Sequence, residues 1–194
     1  MKYRDVVIHN GERFTVPQGI QRIDSRATHG WQLRYGGATK LFSDGSHGGS
    51  AAAALERAAR ELRSRITKMP APSKLQKEPS GSKSTDLPVG ISGPVVRLRP
   101  GSSVRACSFS VSLPRWGETP RRSSVHIGTE NTYSVERYHE ALAKAIAMRH
   151  KAEVAYQRAA TRAMREASTT LVAASVKSAQ RSRPAARSTR SPAR

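Results

Sequence analysis

The chain has 194 residues, with 34 Lys and Arg against 14 Asp and Glu, and its formal net charge is +20 at pH 7. A surplus of this size creates a positive field that attracts polyanions, so the composition favours nucleic acid as the partner over an anionic membrane or an acidic protein. The lone cysteine, Cys107, excludes a disulfide framework and a cysteine zinc site within one chain, and no apolar run reaches the length of a membrane span. These features predict a protein of the reducing cytoplasm, associated with the nucleoid.

Four segments follow from the changes in composition along the chain. Residues 69–88 are rich in Pro, Ser and Lys and have no apolar periodicity, which is typical of a flexible linker. Residues 177–194 carry basic residues, no acidic ones and little apolar surface, which predicts a disordered basic tail. The two remaining segments, 1–68 and 89–176, are each predicted to fold.

The first segment opens on a predicted β-hairpin. Asn10-Gly11 separates two β-favouring runs, residues 6–9 and 13–16, and this dipeptide is typical of a type I′ turn. The hairpin is expected to cover the edge of a sheet, because unpaired strand edges are usually protected.

Three short strands are predicted next, over residues 20–23, 31–35 and 39–42. Apolar and polar residues alternate along the middle strand, so its apolar residues are expected on one buried face: Trp31, Leu33 and Tyr35.

A helix over residues 51–68 follows, because this stretch contains no Gly or Pro and Ser50 is a favourable cap. Its buried stripe is predicted to be Ala54, Ala58 and Leu62.

The second segment repeats this order of elements. Gly90-Ile91 echoes Gly19-Ile20, and strands are predicted over residues 95–99, 104–113 and 124–127. Ser134 is expected to cap a helix whose buried stripe is Tyr138, Leu142 and Ile146. The predicted fold class is therefore α+β, with two small modules in which a three-stranded antiparallel sheet packs on one helix.

This pattern resembles a known DNA-binding domain. The residues that carry the resemblance are Gly19-Ile20, the strand residues 31–34 and 40–42, and the Ala-rich helix start at 51–60. They are similar to the plant APETALA2/ethylene-response-factor domain and to its bacterial and phage relatives, which occur beside integrases and HNH homing nucleases. The second segment resembles it more loosely and has no aromatic residue at the place of Trp31, unless Phe109 fills it.

The resemblance implies two divergent copies of a module whose helix packs on one sheet face while the other face enters the DNA major groove. It also implies a non-enzymatic function in transcriptional regulation, or in nucleoid or mobile-element organisation, with double-stranded DNA as the partner. Strand alternation applied to this arrangement sends Gln32 and Arg34 outward, with Lys40 opposite them. Gln and Arg suit the edges of adenine and guanine.

Other candidate contacts come from the first strand, the second module and the tail. The parity of the first strand is open, so Gln21, Arg22 and Arg26 are all candidates. If Cys107, Phe109 and Val111 are core, the second module presents a set that indicates phosphate contact more than strict sequence reading: Arg97, Arg99, Ser108, Ser110 and Arg122. Phosphate contacts of the tail are expected from Arg181, Arg183, Arg187, Arg190 and Arg194.

Two rival functions stay open. Basic, Ala-rich chains with basic tails are also common among RNA- and ribosome-associated proteins, and the chain could be the targeting part of a recombinase or nuclease whose chemistry lies in a partner. The 6 histidines show no metal-ligand spacing, so no catalytic residue, metal or cofactor is expected.

Trp116 and the last helix also allow more than one interpretation. Trp116 could stack on a base or pack within its turn. The helix after Ser134 continues to about residue 176 and carries an Ala-rich stripe: Ala152, Ala155, Tyr156, Ala159, Ala163 and Met164. The stripe could form a homodimer with a second chain, lie across the protein's own domains or stay solvated.

Overall fold

The computed structural model describes residues 1–48, 50–81, 83–98, 101 and 103–169, with the backbone alone at His47. In this part of the chain the fold is α+β, with three small antiparallel sheets and two α-helices. The described residues divide into two units, Met1–Pro72 with the described residues from Ala163 to Thr169, and Ser73–Arg162.

The predicted N-terminal hairpin is present, with strands β1 (Tyr3–Val7) and β2 (Arg13–Pro17). Its turn is not type I′, because that turn needs a positive φ at Asn10 as well as at Gly11, and only Gly11 has one. Hydrogen bonds run from Gly11 N to Ile8 O (2.9 Å) and from Ile8 N to Glu12 O (3.0 Å). This is the three-residue loop in which a left-handed glycine forms a bulge.

The first sheet has the order β3-β4-β5, with β3 at Ile20–Asp24, β4 at His29–Leu33 and β5 at Lys40–Ser43. Helix α1 spans Ala51–Lys68, as predicted, and the hydroxyl of Ser50 accepts a hydrogen bond from Ala53 N at 3.3 Å. The helix is amphipathic, and the predicted stripe of Ala54, Ala58 and Leu62 is fully buried. The predicted face of the middle strand is also buried, with Trp31 and Leu33 fully enclosed.

Trp31 connects the parts of this unit. Its indole Nε1 donates to Ala51 O in the first turn of α1 at 2.8 Å. Phe14 of the hairpin meets the indole edge-on, with ring centroids 5.6 Å apart. Hairpin, sheet and helix therefore share one core, to which the hairpin also contributes Ile8 and Val16.

The second sheet has the order β6-β7-β8, with β6 at Ile91–Leu98, β7 at Arg105–Leu113 and β8 at Arg121–Thr129. Helix α2 spans Val135–Thr169, and Ser134 Oγ accepts from Arg137 N at 3.3 Å. Neither α1 nor α2, the helices of the described residues, has the apolar length needed to cross a membrane.

The buried side of α2 differs from the predicted stripe. Ala141 and Ala145 are the residues buried in the second core, whereas Ile146 is 41% exposed. Tyr138 and Leu142 are only partly buried against this core. Tyr138 meets the buried Phe109 edge-on, with ring centroids 5.2 Å apart. The predicted stripe is therefore confirmed in part, at Tyr138 and Leu142, and wrong at Ile146, while the fully buried positions are the small residues Ala141 and Ala145.

Hydrogen-bond register supports a correspondence between the two sheets. Gly19 O accepts from Arg34 N at 2.7 Å, and Gly90 O accepts from Ser112 N at 2.8 Å. Ile20 pairs with Leu33, as Ile91 pairs with Val111. Leu33 therefore corresponds to Val111, and the residues two positions earlier, Trp31 and Phe109, correspond as well. Both aromatic side chains are completely buried.

A matching arginine was not foreseen from the sequence. Arg65 follows Ser50 at the same spacing as Arg149 follows Ser134. Arg65 Nη1 donates to Tyr35 O (3.1 Å) and Ala38 O (2.7 Å), just beyond the middle strand of the first sheet. Arg149 Nη1 donates to Ser112 O near the end of the middle strand of the second sheet. Each arginine thus joins a helix to the end of its sheet.

Part of the predicted linker takes part in the second unit. Leu87 is buried in the second core. Lys83 Nζ donates to Pro88 O (2.8 Å), Ile91 O (3.2 Å) and Leu87 O. The predicted tail, 177–194, lies outside the described residues, as does the last part of the predicted second module.

Two members of the Ala-rich stripe have contacts within their own unit. In the second unit Tyr156 meets Trp116 edge-on, with ring centroids 5.4 Å apart, while Trp116 stays 41% exposed. In the first unit Met164 packs against the core. Ala155 is exposed. The predicted homodimer remains a prediction.

Arg65→Ala is expected to lower the free energy of unfolding by about 1–3 kcal/mol, because the carbonyl groups of Tyr35 and Ala38 lose a charged donor whose side chain is only 13% exposed. Urea unfolding of the full chain measures this loss. The matched control is Arg63→Ala, an exposed arginine of the same helix, for which a change within about 0.5 kcal/mol is expected. Equal losses for the two variants would show that the Arg65 contacts do not stabilise the unit.

Candidate nucleic-acid interface

The outer face of the first sheet, the side away from α1, is polar at its centre. Register places Gln21, Gln32 and Leu41 beside one another across β3, β4 and β5. Arg34 extends this face just beyond the end of β4, where it is exposed, and its Nε donates to Gln32 Oε1 at 2.6 Å. We call these four residues the first outer face. The structure brings together three predicted contacts here: Gln21, Gln32 and Arg34.

Arg22, by contrast, points to the opposite side of the sheet. It pairs with Trp31 in the register, and its guanidinium carbon lies 5.0 Å from the centroid of the indole. Its Nη1 and Nη2 bind the carboxylate of Asp44 at 3.0 and 2.7 Å, and its Nε binds Asp24 at 3.0 Å. The side chain is only 5% exposed. Arg22 is therefore a structural residue, and the open parity of β3 is resolved in favour of Gln21.

Lys40 is exposed, but it does not lie opposite Gln32 and Arg34 as predicted. It pairs with Leu33, on the face that carries Trp31, and its Nζ lies 5.2 Å from the centroid of the Phe42 ring. The residue opposite Gln32 is Leu41, which is 43% exposed. The register of the β4–β5 pair decides this. Gly36 and Gly37, which both have a positive φ, form the turn, and a two-residue turn at this place pairs Leu33 with Lys40. Arg26 lies in the exposed β3–β4 turn, outside the first outer face.

A basic groove next to the first outer face was missed by the sequence reasoning. It has a volume of about 330 Å³, and its lining includes Lys2, Arg4, Gln18, Gln21 and Arg34. Arg4 Nη2 donates to Ile20 O at 3.2 Å, which joins β1 to the start of β3. Lys2 and Arg4 alternate with Tyr3, so the sequence places both basic side chains on one face at the start of β1. This pattern alone could not predict the groove, because the closeness of Lys2 and Arg4 to Arg34 depends on how the hairpin packs.

The outer face of the second sheet carries four of its five predicted contacts. Ser108 and Ser110 alternate with the buried Phe109 and Val111. Arg122 pairs with Ser112, and Arg97 pairs with Ala106, which share the parity of Ser108 and Ser110. We call Arg97, Ser108, Ser110 and Arg122 the second outer face. Arg99 lies outside the described residues, as do the predicted contacts of the tail: Arg181, Arg183, Arg187, Arg190 and Arg194.

The two outer faces differ in chemistry at corresponding positions. The register that matches Phe109 to Trp31 also matches Ser110 to Gln32 and Ser112 to Arg34. The long side chains of Gln32 and Arg34 are therefore replaced by serines in the second sheet. Its two arginines lie towards opposite ends of the face, on β6 and β8.

Arg22→Ala and Arg34→Ala are expected to separate structure from recognition. Loss of Arg22 leaves the buried Asp44 carboxylate without its bidentate partner, so stability should fall by about 3 kcal/mol. Loss of the exposed Arg34 should change stability by less than about 0.5 kcal/mol. Urea unfolding of both variants checks this, and a larger loss for Arg34→Ala would mean that the two sheet faces are assigned the wrong way round.

The chain matches no protein-family model, no curated protein and no solved structure.

Proposed function

We propose that this protein is a non-enzymatic DNA-binding protein that reads duplex DNA with the outer face of its first sheet. The observation that carries the proposal is the composition of that face. Its opposite side is closed by Trp31, Leu33 and the helix α1, whereas the outer face presents Gln21, Gln32 and Arg34 with no role in the core. A major groove accepts a two-stranded β-ribbon, and the paired strands β3 and β4 carry Gln21 and Gln32 side by side.

The side chains of the first outer face match the donor and acceptor pattern of base edges. Gln offers one donor and one acceptor to adenine, Arg offers two donors to guanine, and an apolar tip such as Leu41 can contact the methyl group of thymine. The Arg34 guanidinium donates to the neighbouring Gln32. Replacing this exposed hydrogen bond between Arg34 and Gln32 with hydrogen bonds to a base edge costs little free energy, because the contact is open to solvent.

Phosphate contacts would supply most of the affinity and set the register on the duplex. The net charge of +20 provides the long-range attraction. The basic groove with Lys2 and Arg4 borders the first outer face. In the proposed complex this groove holds the DNA phosphate backbone beside the bases that Arg34 reads. The arginines of residues 177–194 are proposed to follow phosphates in any sequence.

The second sheet with α2 is proposed to be a divergent copy of the first module. The support is the shared register at Gly19 and Gly90, the buried Phe109 at the place of Trp31, and the matching Arg65 and Arg149. Serines and separated arginines on the second outer face favour phosphate contact over base reading. Two modules, joined by a segment within 69–88 that we propose to be flexible, suit a regulator of transcription or a nucleoid or mobile-element factor that binds two adjacent grooves.

The test is binding of the full chain to a duplex enriched from a random-sequence pool, measured by fluorescence anisotropy. Arg34→Ala should weaken binding by about 1–3 kcal/mol, because one base contact is lost. The charge-matched control is Arg57→Ala on the exposed side of α1, which should change affinity little.

Competitors decide between DNA and the RNA alternative. Duplex DNA should displace the probe better than structured RNA, because the deep, narrow major groove of A-form RNA does not admit side chains. Stronger competition by RNA, or equal effects of Arg34→Ala and Arg57→Ala, would overturn the proposal.

A further inference from the structure

Three side chains with metal-binding chemistry converge on one point of the first unit. His9 Nδ1 lies 3.3 Å from Asp24 Oδ1, and His29 Nδ1 lies 2.9 Å from the same oxygen. The two imidazole rings are tilted by 32° to one another, with centroids 4.2 Å apart. All three ligand atoms lie within 4.8 Å of one another.

The convergence is a product of the fold and is invisible in the sequence. His9 belongs to the three-residue loop of the hairpin, Asp24 ends β3 and His29 begins β4. Asp24 and His29 are paired in the sheet register, so their side chains leave the sheet on the same side. Packing of the hairpin on the shared core then brings His9 to the same carboxylate.

The spacing suits a small divalent cation. A tetrahedral zinc ion has bonds of about 2.0–2.1 Å to imidazole nitrogen and carboxylate oxygen, so neighbouring ligand atoms lie about 3.3 Å apart. The two distances to Asp24 Oδ1 are close to that value. A neutral imidazole that keeps its proton on Nε2 offers the Nδ1 lone pair to the metal. The site is open to solvent, since the side chains of His9 and His29 are 49% and 37% exposed.

Arg22 already contacts the oxygen that the ion would take. Its Nε donates to Asp24 Oδ1 at 3.0 Å, so a bound ion would replace this contact. Asp24 and Asp44 together carry two negative charges, and the partner shared by both is Arg22. If a metal takes the Asp24 oxygen, Arg22 keeps its bidentate contact with Asp44. The cluster thus retains one negative charge for the incoming ion.

From this geometry we infer that His9, Asp24 and His29 form a zinc-class metal site, with water completing the coordination. Three protein ligands and one open position are typical of accessible zinc sites. Imidazole and carboxylate ligands distinguish this ion class from Mg²⁺, which prefers oxygen ligands alone. A bound ion would tie the loop of the N-terminal hairpin to β3 and β4, so its first effect is to stabilise the hairpin on the sheet.

Titration of the untagged full chain with ZnCl₂ tests the site. Calorimetry should detect one strong site per chain, Co²⁺ should give the visible absorption of a tetrahedral complex, and MgCl₂ should not compete. Zinc should raise the Tm, because an ion that binds only the folded chain stabilises it.

His9→Ala and His29→Ala should each weaken zinc binding by at least about tenfold, because removing a ligand costs no less than removing a residue that only orients one. His150→Ala, an exposed histidine of α2, is the matched control and should bind zinc as the unaltered protein does. Circular dichroism without metal verifies that each variant is folded. Absence of zinc binding, or unchanged affinity in folded His9→Ala and His29→Ala variants, would overturn the inference.

Discussion

The burial of Trp31 is the constraint on which the first unit depends. The indole donates its hydrogen bond to Ala51 O at the start of α1, receives Phe14 of the hairpin against its ring, and lies below the guanidinium of Arg22. The hairpin and helix α1 are thereby fixed to the face of the first sheet that carries Trp31. Arg22 extends the arrangement to Asp24 and Asp44, at the end of β3 and just after β5. A strand has two faces, so fixing Trp31 inward also fixes Gln32 outward.

The division into two faces accounts for the separate roles of neighbouring basic residues. Arg22 and Arg34 are both arginines of the same small sheet, yet one is 5% exposed between two carboxylates and the other is exposed beside Gln32. The second sheet uses the same frame, with Phe109 buried, Gly90 bonded to Ser112, and Arg149 at the end of β7. The two sheets differ on their outer faces, where serines in the second sheet stand at the places of Gln32 and Arg34. The two outer faces are therefore proposed to contact DNA in different ways.

Much of the fold could be predicted from the sequence because local signals agreed. Ser50 and the unbroken run after it defined α1, and alternation in β4 identified Trp31 and Leu33 as core. The errors arose where tertiary packing decides. On α2 the predicted stripe was wrong at Ile146, and it missed Ala141 and Ala145, which are the buried residues of this helix in the second core. The type I′ turn was wrong because Gly11 alone takes a positive φ.

The candidate site could be predicted only where the sequence showed which face of the sheet each strand residue points to. Alternation identified Gln32 and Arg34, but the register of β5, which places Leu41 rather than Lys40 on the outer face, is set by pairing across the strands. Arg22 could not be excluded in advance, because its carboxylate partner Asp44 is distant in sequence. The same holds for the basic groove with Lys2 and Arg4 and for the meeting of His9 with His29, which both depend on how the hairpin packs.

The most direct test of the central claim is an NMR titration of the full chain with duplex DNA, observing side-chain N–H groups. The account predicts that the side-chain amides of Gln21 and Gln32 and the Nε–H of Arg34 shift on binding, while the Nε–H groups of Arg57, Arg60 and Arg63 on α1 stay unchanged. Shifts confined to the arginines of α1, with Gln21, Gln32 and Arg34 unaffected, would contradict it.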